Sequence, residues 1–403
     1  MVLGADQIQA GDLDFAMAAA PEPGLTLSFV VRAPDDPALI KFSSGTTGFP
    51  KAILHSQGGL AHTLSLGLML NDAYDLIYEA EFGERLPANL KNTTSTLVLS
   101  SPMFHVAGLL PFLRAIIGGQ TTVLITKWNA ETVFDVLERE TVSRLGLVPT
   151  MIFDMLNSPR AESGALSNLR FLASGTASLS PSVAAELRRR LPRCLMLNTY
   201  GQSETMERVA TFGGREFEDH LAASGRVMPT MRLRIVRDDG SDADLGEPGE
   251  IAVQSPTTML GYYNDAKATA ETIRDGWLYT GDIGHFDAAG RLYIVDRKKN
   301  MVISGGENIY CAEVERVLGE HPKALEAIAY GEPDPRLGER LVAVVVLRPG
   351  ETASDEELKA YARARLAIYK VPRRVEFTHT PLPRNATGKV ARGVFMDARK
   401  TPA

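Results

Sequence analysis

Cysteine is nearly absent: Cys194 and Cys311 are the only two in 403 residues. Two thiols cannot build a disulfide framework, which points to a reducing, cytoplasmic setting. No spacing of Cys and His suits a metal cage. Long apolar runs are missing too. The longest clean one, Leu341–Leu347, is too short to cross a bilayer and reads as a buried strand. Met1–Ala20 carries three aspartates and no basic stretch, so it does not read as a signal peptide. The tail Lys400-Thr401-Pro402-Ala403 holds no peroxisomal address. A net charge of −6 gives no sign of a nucleic-acid surface. What is present, 44% hydrophobic and 23% charged residues, is ordinary for a globular chain with room for two or three domains.

Short apolar segments alternate with helical patterns through the first half. Strands are expected at Ala38–Phe42, Thr96–Ser100, Thr121–Thr126, Arg144–Val148, Arg170–Ala173 and Cys194–Thr199, and helices at Gln57–Leu70, Ala130–Glu140 and Pro181–Leu191. Ser180 before Pro181 supplies a cap and a first-turn proline. Arg188, Arg189 and Arg190 read as complements to that helix's dipole rather than as a ligand site. The alternation predicts a parallel α/β sheet. Asn71–Thr94 is polar and reads as a surface excursion.

From about Met231 the texture changes. Met231–Val236, Gly249–Gln254 and Arg291–Val295 read as short strands in an antiparallel, barrel-like subdomain. After the charged stretch Asp296–Asn300 comes a compact pattern. It holds a helix near Tyr310–Leu318, strands Leu325–Ala329 and Leu341–Leu347, a helix Asp355–Leu366 and a strand Arg374–Phe377. Ser354 and Glu357 form a capping box for its second helix. The fold expected is a large multi-layer α/β body with a small barrel-like part, residues 1–296. A small mobile α+β domain, residues 297–403, is hinged on the charged stretch.

The chemistry concentrates in a loop, Ser43-Ser44-Gly45-Thr46-Thr47-Gly48-Phe49-Pro50-Lys51, straight after the apolar run 38–42. Glycines let several N–H groups face one anion, four hydroxyls add donors, and Lys51 adds a point charge. That is a cradle for a polyphosphate. Phe49 and Pro50 set it apart from the common nucleotidase loop. A second motif, Asn198-Thr199-Tyr200-Gly201-Gln202-Ser203-Glu204, ends a strand. Tyr200 offers an aromatic face to adenine, and Glu204 an oxygen ligand to Mg²⁺.

Three more segments follow: Thr280-Gly281-Asp282, Asp296–Tyr310 with Gly305-Gly306-Glu307-Asn308-Ile309, and Pro383-Arg384-Asn385-Ala386-Thr387-Gly388-Lys389. Together with the first two, these resemble the acyl-adenylate-forming (AMP-binding) superfamily, and acyl-CoA synthetases within it. The likeness runs from about residue 30 to 395. It implies ATP with its phosphates in the loop Ser43–Lys51, adenine on Tyr200 and ribose on Asp282. Glu204 and Thr46 would hold Mg²⁺, and Asn198 and Thr199 would border the nucleotide. Ser203 replaces the usual threonine and keeps its hydroxyl. The backbone of Gly175, Thr176 and Ala177 would line the adenine. Arg297 would reach ribose and phosphate, with Asp296 as pivot. Lys389 would serve adenylation; Gly305 and Gly306 would pass the pantetheine arm of CoA. His105, in Ser101–Gly108, would border the acid.

The resemblance implies an ATP-dependent carboxylic acid–CoA ligase, first forming an acyl-adenylate and pyrophosphate, then acyl-CoA and AMP. Two rival readings are an adenylating enzyme serving an amine or carrier-protein acceptor, and an impaired nucleotide-binding remnant. Most members of the family carry a domain-sized segment before the phosphate loop, and only a remnant precedes it here. The expectation is exposed apolar surface that a second copy or a partner chain covers.

Overall fold

The computed structural model describes residues 30–42, 51–92, 94–175, 179, 181–206, 208–384, 390–392 and 394–395. The chain from Pro34 onward forms one compact unit.

Its main sheet has ten strands. Arg144–Leu147, Phe171–Gly175 and Leu195–Gly201 run parallel at one end of it. Their side chains alternate between two cores, as the two-residue strand period demands. Leu172 and Met196 face one core with Phe134, Leu137, Ile152 and Leu187, from helices Ala130–Arg139, Pro149–Asn157 and Pro181–Arg190. Phe171, Leu195 and Leu197 face the other, with Tyr74 and Tyr78. Both faces are covered, which is why residues 171–173 and 195–197 are apolar without a break.

Tyr74 and Tyr78 belong to a 26-residue helix, Gln57–Phe82. Residues 71–82 therefore continue a helix, where the sequence suggested a surface excursion. Leu70, Tyr74, Tyr78 and Phe82 recur every fourth residue and pack into one cluster. Burying Tyr78 completely contributes about 2 kcal/mol, enough to outweigh the acidic residues between. Gly83, at φ 69°, then ends the helix in the left-handed conformation.

The strands Arg232–Val236, Gly249–Gln254, Trp277–Phe286 and Arg291–Arg297 continue the same sheet. No closed barrel forms among the described residues. The join runs through Gly225–Val227, which pairs with both Arg208–Gly213 and Arg291–Arg297. Gly225 makes it possible: a Cβ there would lie 2.6 Å from the Thr211 backbone. Pro37–Phe42 is not in the parallel sheet. It pairs antiparallel with Ala52–Ser56, a strand the sequence did not reveal, and that strand pairs with Gly261–Tyr262. Leu97–Leu99 and Thr122–Leu124 form a parallel pair of their own.

A five-stranded sheet follows the charged stretch and has its own core. Leu341, Ala343, Val345 and Leu347 face the helices Cys311–Gly319 and Asp355–Arg363. Val342, Val344 and Val346 face a second cluster with Ile328 and Leu382. Ser354 Oγ accepts the Glu357 N–H at 3.1 Å. The Glu357 carboxylate pairs with Lys323 at 2.7 Å, so one half of the expected capping box is replaced by an ion pair. Arg188, Arg189 and Arg190 pair with Glu218 and Glu186.

Candidate active site

The strand Leu195–Gly201 ends in a short 3₁₀ turn, Ser203–Thr205. Thr205 is fully buried and locks the turn: its hydroxyl accepts the Gln202 N–H at 3.2 Å and donates to Gln202 O at 3.0 Å. The turn carries Ser203 and Glu204 at the carboxyl end of a sheet strand, where open α/β sheets bind ligands.

Three groups from the small sheet grip this turn. Lys41 donates to Ser203 Oγ at 2.5 Å. The buried ring of His55 bonds Ser203 O through Nε2 at 2.9 Å. A carbonyl only accepts, so His55 carries its proton on Nε2. The Tyr262 hydroxyl donates to Glu204 Oε1 at 3.0 Å. The Lys51 ammonium lies 4.5 Å from the centre of the Tyr262 ring. Cation, phenol and carboxylate thus stand in series at one end of the site.

Burial dominates the electrostatics here. It lowers the Lys41 pKa to about 8, against the pull of Glu204. It lowers His55 to about 4, so the imidazole is neutral. Burial and then Glu204 push the Tyr262 phenol upward, so it stays a donor.

The other end of the site forms around Asp282, which is 3% exposed. Asp282 and Arg297 oppose each other across the antiparallel strands Trp277–Phe286 and Arg291–Arg297. The Arg297 Nε lies 2.8 Å from Asp282 Oδ1, and the Tyr200 hydroxyl donates to Oδ2 at 2.7 Å. Each carboxylate oxygen keeps a lone pair for a further donor. Burial and the Asp282 charge hold the Tyr200 phenol protonated. A cleft beside Glu204 is lined by Gln202, Glu204, Glu250, Tyr262, Thr280 and Gly281, the last of these next to Asp282 in the chain. Motifs some eighty residues apart therefore meet: the Tyr200 hydroxyl reaches Asp282, 82 residues away in the chain.

Asn198 and Thr199 lie on the strand beneath, with Gly175 paired to Thr199. The Asn198 amide donates to Ala223 O at 3.0 Å. Asp296 is 5% exposed. Its Oδ1 accepts the Arg297 N–H at 2.6 Å, and its Oδ2 accepts the Ala312 N–H at 2.8 Å. One side chain thus ties the last strand of the main sheet to the first helix beyond it. Gly305 and Gly306, at φ 62° and 88°, form an exposed two-residue turn between Val302–Ser304 and Glu307–Ile309. His105 caps the helix Val106–Gly118, its Nδ1 accepting the Ala107 N–H at 3.2 Å. Ser43, Ser44, Gly45, Thr46, Thr47, Gly48, Thr176, Ala177 and Lys389 lie outside the described residues.

Lys41, His55 and Tyr262 were not singled out from sequence. Lys41 carried a signal, being the one charge in the strand Pro37–Phe42. His55 and Tyr262 gave none.

For a metal, the described residues hold no group of three or more His, Cys, Asp or Glu. Glu204 lines a cleft with Glu250 and Glu271 without forming a cage with them, which fits Mg²⁺ held jointly by Glu204 and substrate phosphates, the usual mode for that ion.

Residues 5–263 match the family described as AMP-binding enzyme, and residues 313–389 match the AMP-binding enzyme C-terminal domain. An indoleacetate–CoA ligase of Aromatoleum aromaticum is 39% identical over 375 residues, 91% of this chain and 69% of that protein. The Bacillus subtilis o-succinylbenzoate CoA synthetase, solved with its acyl-adenylate intermediate, superposes with a TM-score of 0.75 at 30% identity. That match covers 92% of this chain and 71% of the other. The amide bond synthetase McbA from Marinactinospora thermotolerans gives a TM-score of 0.78 at 30% identity, covering 95% and 73%.

Proposed function

The chain belongs to the AMP-binding enzyme family and is an ATP-dependent acid–CoA ligase, and we propose that its acid is an aryl-substituted carboxylate. Two of the relatives above are named for aromatic acids, which supports that substrate class. The observation that carries the assignment of residues is the convergence of Tyr200 and Arg297 on the buried carboxylate of Asp282, whose chain neighbour Gly281 lines one cleft with Glu204.

In this reading Asp282 accepts the ribose hydroxyls, and Arg297 aims its carboxylate. Tyr200, tethered by its hydroxyl, offers its ring face to adenine. Asn198, Thr199 and the backbone of Gly175, Thr176 and Ala177 border the base. The loop Ser43–Lys51 receives the phosphates. Glu204 and Thr46 would hold Mg²⁺, which would neutralise charge on the triphosphate. The acid's carboxylate attacks the α-phosphorus, forming the mixed anhydride, and pyrophosphate leaves. Lys389 steadies the charge spread over the phosphoryl oxygens. The CoA thiolate then attacks the acyl carbon, forming the thioester, and AMP leaves with the anhydride electrons. His105 borders the acid, and the Gly305–Gly306 turn passes the pantetheine arm.

We divide the protein into a body, residues 1–296, and a mobile cap, residues 297–403, with Asp296 as pivot between the two half-reactions. Free, buried Cys194 and Cys311 suit a reducing cytoplasm. No helix among the described residues is long and apolar enough to cross a membrane. Met69, Leu76, Ile116 and Ile117 are each more than half exposed on two helices, a face suited to a second copy or a partner chain.

AMP release from ATP, measured across a panel of acids with and without CoA, tests the function. CoA-dependent release with aryl acids is the expected result. CoA-independent product with an amine present would favour the amide-forming reading, for which the likeness to McbA speaks. Turnover confined to straight-chain acids would remove the aryl assignment.

A further inference from the structure

Lys41 is an uncommon residue to bury, at 4% exposed. An ammonium in a protein interior is costly unless another charge or a ligand compensates. Among the described residues no carboxylate pairs with it directly, and its hydrogen bond goes to the neutral hydroxyl of Ser203. Its strand, Pro37–Phe42, runs straight into the expected phosphate loop. Ser203 is next to Glu204, which attracts the ammonium across the turn. With His55 neutral, Lys41 is the buried cation of this end of the site.

The direction of the hydrogen bond matters. An ammonium has only donors, so Ser203 Oγ accepts from Lys41. The Ser203 hydroxyl proton is thereby left for another acceptor, and a charge-assisted bond makes that proton the better donor. A phosphoryl oxygen is such an acceptor.

We propose that Lys41 is a positioning residue for the polyphosphate: a fixed internal cation that aims the Ser203 hydroxyl and shares with the divalent ion the neutralisation of Glu204 and the triphosphate. This rests on the nucleotide-site reading above. It predicts that the protein holds ATP measurably even without a divalent cation, and that Lys41 is the reason.

The test is calorimetric binding of ATP and of AMP in excess chelator, to wild type, Lys41→Gln and Lys41→Arg. Lys41→Gln keeps a donor for Ser203 and removes the charge. It should bind metal-free ATP about tenfold more weakly than wild type and AMP within about twofold. Adding Mg²⁺ should narrow the difference, and Lys41→Arg should retain most of the ATP affinity. Equal weakening for both nucleotides would mark Lys41 as merely structural and overturn the proposal, as would an unchanged ATP affinity. Thermal melting checks that Lys41→Gln folds. Should it not, Lys41→Arg carries the test, and a drop in its ATP-to-AMP preference would overturn the idea. Wild type that binds neither nucleotide would remove the nucleotide site itself. Wild type that binds AMP but not metal-free ATP would remove only the role of Lys41.

Discussion

Asp282 and Arg297 sit directly opposite each other on neighbouring antiparallel strands, with the guanidinium Nε 2.8 Å from the carboxylate. The register holds the pair, so neither side chain must be ordered by a ligand. Since Tyr200 takes the other oxygen, the carboxylate is fixed in orientation by the fold itself. Asp282→Ala is expected to raise the KM for ATP ten- to a hundredfold, the worth of about 1.5–3 kcal/mol for bonds to a charged group. Steady-state kinetics with ATP varied checks this. The double variant with Arg297→Ala should cost less than the two single losses combined, because the residues act as a unit.

Lys389→Ala should cut adenylation, followed by pyrophosphate exchange, far more than thioester formation from preformed adenylate. Equal loss in both half-reactions would take Lys389 out of the first step.

Asp296→Ala removes the acceptor for the N–H groups of Arg297 and Ala312. Losing such a cap costs about 1 kcal/mol. Thermal unfolding should report that loss, with Asp296→Asn milder because an amide oxygen still accepts. A swap with no effect on stability or on the second half-reaction would deny Asp296 the pivot role.

His55 predicts an acid-side loss of stability. Its folded pKa, about 4, lies below the unfolded value of 6.5. Above pH 6.5 both states are neutral and the full stability is present. As the pH falls toward 4, the unfolded imidazole takes up its proton first, and stability declines by up to about 3 kcal/mol. Urea unfolding at pH 7 and pH 5 measures it. His55→Asn should show a shallower decline over that window.

Burial pushes the Cys194 thiol up to about 12 and Cys311 higher still. Neither should react with a disulfide reagent at pH 8 in the native protein, and both should react once it is unfolded. Rapid labelling of either in the folded state would contradict the burial.

What could be read locally was read correctly where one segment held the whole signal. Leu341–Leu347 is apolar at every position because both faces of its strand are covered, and a run of that length announces such a strand. The motifs around Glu204, Asp282 and Asp296 are contiguous in sequence, and the fold puts Glu204 and the Gly281 beside Asp282 on one cleft. The helix through Tyr74 and Tyr78 was legible only at its start. Its later turns are held by aromatic contacts to Phe171 and Leu195, which a polar stretch does not reveal. The barrel-like part proved to be more of the main sheet, because strand pairing is decided by partners that sequence does not name.

The amino-acid order by itself determined the motifs, the alternation of strand and helix, and the family to which they point. Those properties live within a few consecutive residues, in spacing and side-chain chemistry. Tertiary structure decided which of these residues stand together: Lys41 lies 162 residues from Ser203, and His55 lies 148 from it. A charge inside an apolar strand becomes meaningful only when folding removes its water and sets one hydroxyl and one carboxylate beside it.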